Sequence, residues 1–191
     1  MRPRSLPTQP VRVYSFPPIA AEDARILILG SMPGVASLQA AQYYAHPRNQ
    51  FWRIITELYG RTAVPDYPQR LQLLSANRLA LWDVLHSCVR PGSLDAAIEH
   101  HTAEPNDLIG LLRSHPSIVR ICCNGGTAFA ALRRHFGSAL AERFTEIEIQ
   151  QLPSTSPANA SWSYPRKLLA WQQGLNPPRS GRLLRPPPIR A

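Results

Sequence analysis

Two short runs, Arg25-Ile26-Leu27-Ile28-Leu29 and Ile118-Val119-Arg120-Ile121-Cys122-Cys123, constrain this chain more than anything else in it. A strand with one wet face alternates apolar and polar residues, whereas a nearly continuous apolar run of this length is covered on both faces. Such strands belong to a parallel sheet lying between two layers of helix. Two further β-like runs, Arg78–Val84 and Phe144–Gln151, supply partners for it. Helical patterns occur over Phe51–Tyr59, Pro105–Ser114, Thr127–Phe136 and Tyr164–Gly174. Strand and helix therefore alternate. The pattern predicts an α/β fold, a three-layer α/β/α sandwich on a central, mostly parallel four-stranded sheet. Its crossovers are right-handed, and its ligand crevice lies at the carboxyl ends of the strands. The 191 residues suffice for one domain with a sizeable core.

The ends read differently. Pro3, Pro7, Pro10, Pro17 and Pro18 break residues 1–20, and Pro177, Pro178, Pro186, Pro187 and Pro188 break residues 176–191. Proline fixes φ and removes a donor, so both ends are expected to be extended or disordered, leaving 21–175 as the folded domain. Of the net charge of +9, seven units sit on Arg2, Arg4, Arg12, Arg179, Arg182, Arg185 and Arg190, with no acid beside them. Basic ends on a nearly neutral body suit either a polyphosphate partner or a solubilising tail. No apolar run approaches 18 residues and the start lacks the apolar stretch of a secretory signal, so the expected compartment is the cytoplasm, with no membrane contact. Cys88, Cys122 and Cys123 lack metal-ligand spacing; they are expected to be reduced and buried, and neither metal nor cofactor is expected.

The crevice rule directs attention to the loop after each strand. After the first comes Gly30-Ser31-Met32-Pro33-Gly34, whose glycines permit close approach and whose amides could cradle an anion; it matches no nucleotide-binding fingerprint. Next is Gln42-Tyr43-Tyr44-Ala45-His46-Pro47-Arg48-Asn49-Gln50-Phe51-Trp52, with four aromatic residues in eleven. Burying all of it would strand polar groups, whereas aromatic faces stack on unpaired bases and an asparagine amide orients water or bonds a base edge. Phe51 and Trp52 also fit the start of an amphipathic helix, and for Trp52, followed by Ile55, that reading is favoured.

After the second strand, Asp83 stands at an apolar strand end, where a carboxylate is costly without a partner or a purpose. Asp95 fits a helix cap, and Asn124 in Asn124-Gly125-Gly126-Thr127 fits a structural strand-to-helix turn. The fourth run leads into Leu152-Pro153-Ser154-Thr155-Ser156-Pro157-Ala158-Asn159. Hydroxyls stiffened by prolines can grip phosphates, and an apolar tip can fill the hole left by an extruded base.

These five motifs, in this order, resemble the uracil-DNA glycosylase superfamily, most closely its deoxyinosine (hypoxanthine) DNA glycosylase branch. The resemblance spans residues 25 to about 172. It implies an enzyme that extrudes a deaminated base, hypoxanthine or uracil, from double-stranded DNA and hydrolyses its N-glycosidic bond, acting as a monomer. By this resemblance Asn49 is the catalytic, water-positioning residue and Phe51 stacks on the flipped base. Gly30, Ser31, Met32, Tyr44 and Asp83 line the base, and His46, Leu152, Ser154, Thr155, Ser156, Pro157, Ala158 and Asn159 meet the DNA. Two departures stand out: Met32 replaces the water-positioning Asp or Asn of uracil-cutting relatives, and Leu152 replaces their histidine. A thioether cannot polarise water. The one lysine near any motif is Lys167, so a Schiff-base lyase step is not expected. A uracil or mismatch-specific glycosylase, a catalytically silent nucleic-acid-binding domain and an unrelated phosphate-handling α/β enzyme are the competing readings.

Overall fold

The computed structural model describes residues 12–60, 63 and 65–176. The central sheet contains β2 (Ile26–Gly30), β3 (Leu79–Asp83), β6 (Arg120–Asn124) and β7 (Glu148–Leu152), all parallel, in the order β3-β2-β6-β7. Each lies within two or three residues of its sequence-based bounds except β7, which starts four residues after Phe144.

Alternate residues along these strands feed different cores, which is why the runs are apolar throughout. Leu27, Leu29, Ala80, Trp82, Ile121 and Cys123 face α4 (Leu108–Ser114) and α5 (Gly126–Arg143). Ile26, Ile28, Leu79, Leu81 and Cys122 face α2 (Phe51–Leu58), α3 (Tyr67–Ala76) and α6 (Tyr164–Leu175). The result is the expected three-layer sandwich. The adjacent cysteines thus enter opposite cores, and all three cysteines are buried and unbridged.

Several elements escape the sequence pattern. Helix α3 starts at Asp66, whose side chain accepts from the Gln69 amide at 2.9 Å. The short α1 (Val35–Ala40) comes directly after the first loop. A second, antiparallel sheet joins β1 (Arg12–Tyr14), β4 (Leu85–Val89) and β5 (Glu104–Pro105) in the order β1-β4-β5. Its formation is a long-range event: Arg12 reaches Ser87 at 2.7 Å and Glu104 at 3.3 Å. Residues 12–20 are thereby extended along the body, with Ile19 bridging Leu81. The expectations for residues 1–11 and 177–191 lie outside the described residues. No helix among the described residues is long and apolar enough to cross a membrane.

Candidate active site

The carboxyl ends of β2, β3, β6 and β7 bring the five motifs to one edge of the sheet. Gly30 is paired with Asp83 across β2 and β3. A Cβ on Gly30 would stand 2.3 Å from Asp83 Oδ1 and 3.0 Å from the Tyr44 hydroxyl, so only glycine fits between them. The carboxyl and the phenol thus converge on one point. Both groups are buried, and neither Asp83 Oδ2 nor the Tyr44 hydroxyl has a hydrogen-bond partner among the described residues. Buried polar atoms are nearly always paired, so two orphans at one spot mark a place built for another molecule's polar edge. Tyr44 also holds a left-handed backbone, φ 54°, which a tyrosine adopts only under tertiary constraint.

Burial raises the Asp83 carboxyl to about 8, with Asp95 adding to the rise and Arg90 opposing it. Burial thus favours the protonated form of Asp83, which can both donate and accept. Because the folded state binds this proton more tightly than the unfolded chain, the associated stability is complete below about pH 4. It is lost as pH rises through about 8. The melting temperature of Asp83→Asn, a neutral isostere, is expected to gain on that of wild type between pH 5 and pH 8.5, since each resisted unit is worth about 1.4 kcal/mol. A pH-independent difference would show that Asp83 ionises freely.

The first loop supplies donors. Pro33 has no amide hydrogen, and the Val35 amide donates to Ser93 Oγ at 2.9 Å. The amides of Ser31, Met32 and Gly34 donate to no acceptor among the described residues. The side chains of this loop point elsewhere. Met32 is 6% exposed within the core, and the Ser31 hydroxyl donates to Asp95 at 2.7 Å. These two residues therefore offer the sheet edge their backbone and not their side chains. Asp95 begins a single 3₁₀ turn, Asp95–Ala97.

The second motif is split between core and edge. Phe51 has no exposed surface: Trp52, Trp171 and Tyr44 surround it, with the Tyr44 ring at 4.2 Å and 32°. This burial runs against the expectation that Phe51 stacks on a base, because its ring is enclosed by core side chains and covered by that of Tyr44. Trp52 is also buried, and its indole donates to the Tyr43 carbonyl at 2.7 Å. Asn49 is partly buried at the entry to α2, where its Oδ1 accepts from the Phe51 amide at 2.9 Å and its NH₂ group has no partner among the described residues. His46 Nδ1 accepts from the Arg48 amide at 3.1 Å.

The last loop is tied to the same edge. Asn124 grips Thr155 through two bonds of 2.9 Å, and the Thr155 carbonyl accepts from the Gln50 amide at 3.0 Å. Gly125, at φ 101°, lets the turn pass Ser154, which a Cβ would approach to 2.8 Å. Thr155 is wholly buried and Leu152 packs against Gly174 in the core, so neither side chain reaches the surface, contrary to the expectation that both meet DNA. Pro157 and Ala158 are exposed at the tip, with Ser154, Ser156 and Asn159 partly so. Internal bonds stiffen this tip: Ser154 Oγ accepts from the Ser156 amide, and the Asn159 side chain donates to the Ser154 carbonyl at 3.0 Å. Lys167 is buried on α6, and burial lowers the pKa of its amine.

Sequence reading missed Arg90 and Gln50. Arg90, just past β4, is 3% exposed and lies behind the first loop. Gln50 Oε1 is buried without a partner beside Asn49. An arginine just past a mixed strand and a glutamine before a helix carry no local signal of this kind.

The family model described as the uracil DNA glycosylase superfamily matches residues 17–175, a span that holds all five motifs. The chain belongs to that superfamily. Among curated relatives, a hypoxanthine DNA glycosylase of Methanosarcina acetivorans is 37% identical over 155 residues, covering 80% of this chain and 91% of its own. A hypoxanthine DNA glycosylase of Methanosarcina barkeri is 38% identical over 116 residues, covering 60% of this chain and 72% of its own. The solution structure of a candidate uracil DNA glycosylase from M. acetivorans superposes with a TM-score of 0.72 at 34% identity, covering 86% of this chain and 97% of that one.

Proposed function

We propose that this superfamily member is a monofunctional DNA glycosylase that removes hypoxanthine from DNA and leaves an abasic site. The observation that supports this most is the Asp83 carboxyl, buried beside Gly30 and Tyr44 with its Oδ2 unpartnered among the described residues, where burial favours its neutral form. Hypoxanthine presents an N1–H donor next to its O6 acceptor. A neutral carboxyl meets both at once, its carbonyl accepting from N1–H and its hydroxyl donating to O6. An ionised carboxylate would also repel charge growing on the departing base, whereas a neutral one donates toward it. A neutral acid does not repel the N1 of adenine, however. Rejection of adenine therefore falls to the fit of its amino group within the pocket.

In this reading the base stacks on Tyr44, which Phe51 backs from the core. Asn49 positions the attacking water, acting by orientation since an amide is no general base. The amides of Ser31, Met32 and Gly34 meet the negative charge of the leaving base, and the DNA phosphates support the oxocarbenium-like sugar. The loop from Ser154 to Asn159 meets the duplex, with Pro157 and Ala158 at its tip. The protein works as a monomer without metal or cofactor. Labelled duplexes containing deoxyinosine, deoxyuridine or deoxyxanthosine, incubated with the protein and cleaved by alkali at abasic sites, test this directly. Strand scission is expected only after alkali, fastest with deoxyinosine. Binding without cleavage of any of the three would establish the silent-domain reading instead.

A further inference from the structure

We propose that Arg90 is a positioning residue for base release: its guanidinium draws the Met32 and Pro33 carbonyls back behind the first loop and so presents the Gly34 amide, beside those of Ser31 and Met32, to the departing base. The inference rests on the glycosylase reading above and concerns how that site is set.

Between Gly30 and Gly34 every carbonyl is engaged. Gly30 accepts from the Val84 amide at 2.9 Å, Ser31 from Leu85 at 3.2 Å, and Gly34 from Leu38 at 3.0 Å. The remaining two, Met32 and Pro33, belong to Arg90. Its Nη1 donates to Met32 at 3.4 Å and its Nη2 donates to Pro33, while its Nε donates to the Gly92 carbonyl at 3.0 Å. The guanidinium has no exposed surface. Its nearest carboxylate is Asp95, at 3.7 Å, which in turn accepts from Ser31 at 2.7 Å. A buried cation is expensive, and here both terminal nitrogens of the guanidinium donate to adjacent carbonyls of one loop.

Each free amide of the loop shares a peptide unit with a carbonyl bonded on the far side: Ser31 with Gly30, Met32 with Ser31, and Gly34 with Pro33. Bonding at a carbonyl polarises the N–H of the same unit. The Gly34 amide is the one polarised by a full charge. Without Arg90, the Met32 and Pro33 carbonyls would be free to swing toward the base, where they would oppose its negative charge. The sequence offers neither aspartate nor histidine at the two positions that relatives use, so the loop backbone and the charge behind it carry a larger share of the work.

Arg90→Lys is the informative change, because one ammonium cannot serve three carbonyls from a planar fork. Single-turnover rates at saturating enzyme are measured with two pairs of leaving groups of different acidity, deoxyinosine with deoxyxanthosine and deoxyuridine with 5-fluorodeoxyuridine. The expected result is a loss of about tenfold or more on the less acidic base of a pair and a clearly smaller loss on the more acidic one. Affinity for a duplex carrying a non-hydrolysable analogue should stay within about twofold. A uniform loss on all bases, or no loss, would overturn the proposal and leave Arg90 as scaffold. If Arg90→Lys does not fold, Arg90→Gln, which keeps amide donors for the loop carbonyls but carries no charge, takes its place. It should show the same leaving-group dependence, and a uniform effect there overturns the proposal equally. Failure of the wild-type protein to cleave any of the four would instead remove the glycosylase reading and this inference together.

Discussion

Replacing Asn49 by alanine is expected to lower single-turnover cleavage of deoxyinosine about 10²-fold or more, the scale of losing one oriented catalytic group. The effect has two parts that a second variant separates. Asn49 Oδ1 holds the Phe51 amide at the entry to α2, and losing that bond costs about 1 kcal/mol of stability. Asn49→Asp keeps the acceptor and the turn, so it should melt within a few degrees of wild type. Its cleavage rate then reports on the side chain's other group, the unpartnered NH₂. Near-normal cleavage by a folded Asn49→Ala protein would remove Asn49 from the mechanism and shift attention to Gln50, whose buried Oε1 lacks a partner next door.

The second large effect separates the two stacked rings. Phe51→Ala removes a wholly buried side chain and should destabilise the fold by about 3–5 kcal/mol, read by chemical denaturation. Tyr44→Ala should lower cleavage of every accepted base, since stacking contributes on the order of 1–3 kcal/mol per base, while costing less stability than Phe51→Ala. Tyr44→Phe deletes only a hydroxyl that has no partner, so the free protein should be as stable as wild type or more so. If Phe51→Ala kept its melting temperature and lost cleavage alone, Phe51 would be the stacking surface after all.

How much of this was legible beforehand depends on the range of the forces involved. The continuous apolar runs at Arg25–Leu29 and Ile118–Cys123 carry the parallel sheet in their composition, because a strand covered on both faces must be apolar on both. Helix α3 was readable in principle from Asp66 and Pro68, a cap and an early-turn proline. The antiparallel sheet was not, since β1 pairs with β4 more than seventy positions away and neither strand alternates clearly. Likewise the motif Asn49-Gln50-Phe51-Trp52 announces aromatic and amide chemistry but not which ring faces outward.

The sequence by itself determined the sandwich, the family and the sheet edge where the motifs gather, for these depend on hydrophobic pattern and motif order along the chain. Only the tertiary structure decided the division of labour within that edge. It buried Phe51 and left Tyr44 above it, withdrew Leu152 and Thr155 from the surface, and set Arg90 behind the first loop. It also raised the pKa of the Asp83 carboxyl by burying it with its Oδ2 unpartnered among the described residues. The physical reason is the same in each case. Burial, charge compensation and hydrogen-bond satisfaction depend on which distant groups share one small volume, and sequence spacing carries no record of that.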